Sequence, residues 1–133
     1  MTRVATRPAR GAGRGPALAC SGIDHVVLHV KDPAASKEFY MDVLGMTVHH
    51  EGAGYVFLRS GAQLLALFAD DDPESRRGSD LNHLAFNVPS GSYEEIKGAL
   101  EARGLEVRGR AGDPRCIYFD DPDGYTLQIV VPG

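Results

Sequence analysis

The stretch that decides the fold is Asp24-His25-Val26-Val27-Leu28-His29-Val30, because its pattern returns as Asn82-His83-Leu84-Ala85-Phe86-Asn87-Val88. Each copy sets a polar residue and a histidine before an alternating apolar run. A helix-forming segment follows each, residues 32–44 closed by Gly45 and residues 92–103 closed by Gly104. A short strand and an apolar hairpin come next in both halves, the second turning through Asp121-Pro122-Asp123-Gly124. Repetition of a whole unit fixes the architecture before any single element does. The expectation is an α+β fold of two tandem βαβββ modules that form a cupped, barrel-like mixed sheet. Module one spans about residues 22–70 and module two about 80–133, in a single domain over 22–133 as suits a chain of 133 residues.

Strand parity divides the repeated stretch. Val26, Leu28 and Val30 are expected to meet the helix, with His25, Val27 and His29 opposite; Leu84, Phe86 and Val88 repeat the apolar set, with His83, Ala85 and Asn87 opposite. The first helix opens with Asp32 as cap and Pro33 at its first position, and aligns Ser36, Phe39, Tyr40 and Val43 on one face. The second opens with the capping box Ser92-Tyr93-Glu94-Glu95 and is expected to turn Ile96, Ala99 and Leu100 inward. Further strands are expected near residues 46–50, 55–59, 63–68, 105–107, 115–119 and 125–131.

The net charge is -4, and residues 1–21 hold four arginines and no acid, which leaves the remainder at -8. A negative body argues against nucleic acid as the main partner. The tail, residues 1–21, is rich in Gly, Ala, Pro and Arg without an apolar period and reads as a disordered extension. The longest apolar runs are strand-sized, short of the roughly 20 residues that cross a bilayer as a helix, so no membrane partner is expected. Cys20 and Cys116 form no spaced framework, which makes the reducing cytoplasm the expected compartment. Asp70-Asp71-Asp72 opens a polar loop to Ser79 that lacks the ligand spacing of a calcium loop and reads as a solvated linker.

Aligning the two halves pairs Gln63-Leu64-Leu65-Ala66-Leu67 with Tyr125-Thr126-Leu127-Gln128-Ile129, so Ala66 matches Gln128. His25, Ala66, His83 and Gln128 then occupy four related positions on the face away from the helices. A strand histidine is usually a hydrogen-bonded structural residue. Recurrence at one place in both copies is what raises these two to candidates for a shared cavity. Other polar candidates for substrate contact are His29, Arg59, Asn87, Arg115 and Tyr118. Arg115 suits clamping an oxyanion and Tyr118 suits proton donation, so these two are also the catalytic candidates. The His49-His50 pair is expected on an exposed edge without a role.

The βαβββ repeat resembles the vicinal oxygen chelate superfamily. Ile23-Asp24-His25-Val26, Phe39-Tyr40 before Val43-Leu44-Gly45-Met46, Leu81-Asn82-His83-Leu84-Ala85-Phe86 and Tyr118-Phe119-Asp120-Asp121-Pro122-Asp123-Gly124 carry the resemblance. That group includes glyoxalase I, extradiol dioxygenases, fosfomycin-modifying enzymes and bleomycin-resistance proteins. The resemblance implies one divalent ion, zinc, manganese, nickel or iron, held by His25, His83 and Gln128, and a homodimer. Ala66 stands where glyoxalase I has a carboxylate ligand, and Gln128 where the family generally has Glu. Both departures disfavour the classical glyoxalase reaction and extradiol ring cleavage. The potassium- and phosphonate-binding residues of the fosfomycin-modifying members find no match in residues 108–113, which disfavours that activity as well.

The expected function is metal-assisted isomerase, lyase or transferase chemistry on a small oxygen-bearing metabolite. The alternative is a protein of the bleomycin-resistance type that binds or sequesters a small molecule with no metal at all. The fold alone does not separate the two, since function resides in the site.

Overall fold

A computed structural model describes residues 15–70, 72 and 81–133. Most of the arginine-rich tail and nearly all of the acidic loop lie outside the described residues.

The chain lays down β1 (His25–Val30), α1 (Pro33–Leu44), β2 (Thr47–Gly52), β3 (Tyr55–Ser60) and β4 (Gln63–Ala69), then β5 (Leu84–Asn87), α2 (Tyr93–Glu101), β6 (Arg108–Arg110), β7 (Asp113–Asp120) and β8 (Thr126–Val130). The strands form two four-stranded sheets in the orders β1-β4-β3-β2 and β5-β8-β7-β6. In each, the strand before the helix pairs in parallel with the last strand of its module, and the remaining pairs are antiparallel. The two βαβββ units expected from the repeat are therefore present, each with its own sheet.

The helix ends follow local chemistry. The Asp32 carboxylate accepts from the Ala34 and Ala35 amides, and Gly45 closes α1 in the left-handed region at φ 69°. Ser92 and Glu95 complete the reciprocal capping box of α2. α2 stops at Glu101, short of the expected 103, and Ala99 is exposed instead of inward; Leu100 is its buried residue. β1 begins at His25, leaving Ile23 exposed. The strand expected at 105–107 lies at β6, because Leu105 and Val107 pack against the core as a connection before the pairing with β7 begins.

Leu28 and Val30 of β1, Leu65 and Leu67 of β4, Ile117 and Phe119 of β7, and Leu127 and Ile129 of β8 join Tyr40 and Leu100 of the helices in one buried cluster. The helix-side faces of both sheets thus share a core. A polar clasp holds α1 to the β7–β8 turn. The Tyr40 hydroxyl donates to Asp121 at 2.6 Å, the Lys31 amide donates to Asp123, and the Tyr125 hydroxyl donates to the His29 carbonyl at 2.7 Å. Burial and the Asp121 charge push the Tyr40 hydroxyl far up from its ordinary range, and burial raises the Asp121 carboxyl. The opposite, open face of each sheet points away from that core, and its residues range from buried, as at Ala66, Cys116 and Gln128, to exposed, as at Val27 and Ala85.

Candidate functional site

Register places the candidate residues across these two open faces. In the first sheet Val27, Ala66, Phe57 and His50 lie side by side across β1, β4, β3 and β2. In the second, Ala85, Gln128, Tyr118 and Arg108 lie side by side across β5, β8, β7 and β6. Ala66 and Gln128 hold equivalent places, and His25 and His83 each stand two residues before the start of their row.

Each histidine is oriented by its preceding residue. His25 Nδ1 donates to the Asp24 carboxylate at 2.8 Å, and His83 Nδ1 donates to the Asn82 amide oxygen at 2.7 Å. A neutral imidazole whose Nδ1 carries the proton presents its Nε2 lone pair outward, the arrangement that metal-bound histidines favour. The polar residue before each histidine in the repeat therefore has a physical role. His83 also meets the Tyr118 ring edge-on, with centroids 5.7 Å apart. Gln128 is 8% exposed, and its Nε2 donates to Cys116 Sγ at 3.4 Å while its oxygen has no hydrogen-bond partner among the described residues. An unpartnered, solvent-accessible amide oxygen on Gln128 and an imidazole nitrogen of His83 without a partner among the described residues lie on one face and suit a divalent ion with nitrogen and oxygen ligands.

His83, Gln128 and Tyr118 lie on the same face of the second sheet. His25 lies on the equivalent face of the first, and no hydrogen bond or ring contact among the described residues joins it to the others. Arg59, on the Phe57 face, His29, on the His25 face, and Asn87, on the Ala85 face, are exposed. Arg115 departs from its expected place. The Cys116–Val130 and Tyr118–Gln128 pairings put Arg115 on the opposite, Ile117 side of β7, where its Nε donates to the Val131 carbonyl at 2.8 Å.

Arg110, Cys116, Arg108 and His50 receive no role from the sequence alone. A register shift falls between Gly109 and Arg110, and the neighbouring Tyr118 and Cys116 raise the Arg110 pKa. Cys116 donates to Asp113 at 3.1 Å, which holds that carboxyl below its usual value. Arg108 is tied to Asp120 at 2.8 Å. A second register shift between Val48 and His50 turns His50 onto the open face, where it stacks on Phe57. Parity counted on sequence alone passes through both shifts unaltered, so these side chains gave no signal.

A two-module βαβββ fold with paired histidines on its open faces defines a class, and the comparisons agree with it. Residues 22–129 match the family described as Glyoxalase/Bleomycin resistance protein/Dioxygenase superfamily. The chain belongs to this superfamily. It is 32% identical over 117 residues to "Metallothiol transferase FosB" of Staphylococcus epidermidis, covering 81% of each chain. It is 29% identical to "Glutathione transferase FosA" of Serratia marcescens, covering 82% of this chain and 79% of that one. Among solved structures, an integron cassette protein of V. cholerae superposes with TM-score 0.68 at 27% identity, over 87% of this chain and 98% of the other. No helix among the described residues is long and apolar enough to cross a membrane.

Proposed function

We propose that this protein is a divalent-metal-dependent transferase that joins a thiol to a small oxygen-bearing electrophile, with His25, His83 and Gln128 as the metal ligands. The observation that carries the reading is the matched pair of histidines, each with Nδ1 engaged by its preceding residue and Nε2 without a hydrogen-bond partner among the described residues. The likeness to a metallothiol transferase and a glutathione transferase favours transfer over the isomerase and lyase alternatives.

A bound divalent ion supplies Lewis acidity, drawing electron density from a substrate oxygen. The chain's own groups do the rest. Thiol addition forms a C–S bond and breaks a C–O bond; the thiol gives up its proton to solvent, the oxygen takes one from the chain, and the donor is reprotonated from water. Tyr118, beside His83 and Arg110, is the donor on that face. Arg110 offsets negative charge on the substrate. Because His25 lies on the other sheet, a homodimer that faces module one of one copy with module two of the next completes the ligand set.

The binding-protein reading draws on one observation. Gln128 contributes no charge, so two imidazoles and an amide leave a divalent ion at its full +2 and hold it less firmly than a set with a carboxylate. Metal analysis of protein purified without a histidine tag separates the two. Near one ion per chain, lost in His83→Ala, is the expected result. No ion and no uptake of zinc, manganese, nickel or ferrous iron sinks the transferase reading.

A further inference from the structure

The open face of the first sheet is paved with rings. His50 lies flat on Phe57, with centroids 4.5 Å apart and planes 15° from parallel, and Tyr55 lies on Phe68 at 5.5 Å and 20°. Phe57 meets Phe68 edge-on at 5.9 Å and His25 at 5.5 Å. None of these five side chains is fully buried; Tyr55, Phe57 and Phe68 are half-buried, and His25 and His50 are exposed. Rings of this size are ordinarily spent on the core, and a contiguous cluster left half-buried to exposed marks a surface that something else covers.

Two features say what covers it. His25 belongs both to this pavement and to the proposed ligand set, so a molecule bound there through its oxygens extends over Phe57 and His50. The equivalent row of the second sheet carries Gln128, Tyr118 and Arg108 on β8, β7 and β6, and β6 also bears Arg110, so this face offers an anion its complement. An alkyl substituent would be met as well by the Val and Leu that fill the helix side. A planar ring gains offset stacking and edge contacts that only a ring-lined floor provides.

We propose that the small-molecule partner is an aryl oxyacid: a planar aromatic ring bearing a carboxylate and an adjacent oxygen, with the ring seated on Phe57 and His50 and the oxygens at the metal. This rests on the transferase reading for the metal and on the ring cluster for the aryl group, and the two fail separately.

The test uses the full chain, with metal uptake measured first and calorimetry then comparing phenylglyoxylate with pyruvate, which share the 2-oxo acid group and differ in the ring. Phenylglyoxylate is expected to bind about tenfold more tightly. In Phe57→Leu the two acids should bind within about twofold of each other, at unchanged metal content. As a check independent of that variant's folding, the His50 ring protons of the unaltered protein should shift with phenylglyoxylate and not with pyruvate. Equal binding of the two acids, a preference that survives Phe57→Leu, or an unmoved His50 overturns the proposal. An aryl preference without any metal uptake upholds the ring site and removes the transferase reading instead.

Discussion

The two open faces are built on one repeated backbone and have opposite chemistry. Across the first sheet the row reads Val27, Ala66, Phe57, His50; across the second it reads Ala85, Gln128, Tyr118, Arg108. On the helix side the modules stay alike, Leu28, Val30, Leu65 and Leu67 answering to Phe86, Val88, Leu127 and Ile129 in or against a shared core. The contrast teaches where each kind of constraint acts. Close packing ties every helix-side residue to several neighbours, so change there is costly. The open faces carry no such tie and have diverged, except at the histidine and the polar residue before it. What the faces kept in common is the candidate metal ligation. What they made different is an aromatic floor on one side and a polar, cationic wall on the other.

The largest expected effect tests whether the two faces work as one site. His25→Ala and His83→Ala should each lower metal content from near one ion per chain to none. If the ligand set joins two copies, unfolding and refolding the two variants together should restore metal in the mixed dimers, since each mixed dimer holds one site with all its ligands. A set closed within one chain gives no recovery, and sedimentation of the same samples reports the oligomeric state directly.

The repeat made the fold legible because two copies of strand, cap, helix, glycine and hairpin corroborated one another. Asp32-Pro33 and Ser92 to Glu95 read correctly for a local reason, since caps depend on the few residues that form them. The helix-side core was legible from parity. The open faces were only partly so. His25, His83 and Gln128 lie on the expected side, whereas Arg110 and His50 reach theirs through register shifts that no alternation pattern reveals. Arg115 shows the same limit from the other direction. Alternation does not fix side-chain direction near a hairpin, and pairing with β8 turns Arg115 to the Val131 carbonyl. The mismatch of residues 108–113 with the fosfomycin-modifying members counted against that activity, and the transferase proposal rests instead on the histidine pair and on the likeness to a metallothiol transferase and a glutathione transferase.

A smaller effect tests whether the open faces are independent of the seam between modules. Tyr40→Phe leaves the buried Asp121 carboxylate without its hydroxyl donor and should cost about 1–3 kcal/mol in denaturant unfolding. Metal content should not change. Asp121 adds a pH signature. Its folded pKa lies above the ordinary 3.8 because burial disfavours the charge. Folding therefore takes up a proton between 3.8 and the folded value. The stabilisation this carries is complete below that window and is lost as pH rises through it. Asp121→Asn should remove that fall from the unfolding profile. If metal uptake drops together with stability in either variant, the seam also positions the ligands.

The finest test concerns the one ligand position at which the faces differ in kind. Gln128→Glu puts a carboxylate beside His83 where an amide stands, adding a charge as well as an oxygen. It should tighten metal binding about tenfold, or about 1.4 kcal/mol, and lower the net charge of the site by one. The same change disturbs a neighbour. Gln128 Nε2 now donates to Cys116 Sγ, whose own hydrogen goes to Asp113. A carboxylate at 128 can only accept, so the thiol is offered two acceptors and the Asp113 contact should loosen. Metal affinity that rises while an anionic ligand binds more weakly is the expected joint outcome, because the +2 site of the unaltered protein attracts an anion more strongly than the +1 site of the variant. Unchanged metal affinity would show that Gln128 is not a ligand and that Ala66 and Gln128 are alike in contributing none.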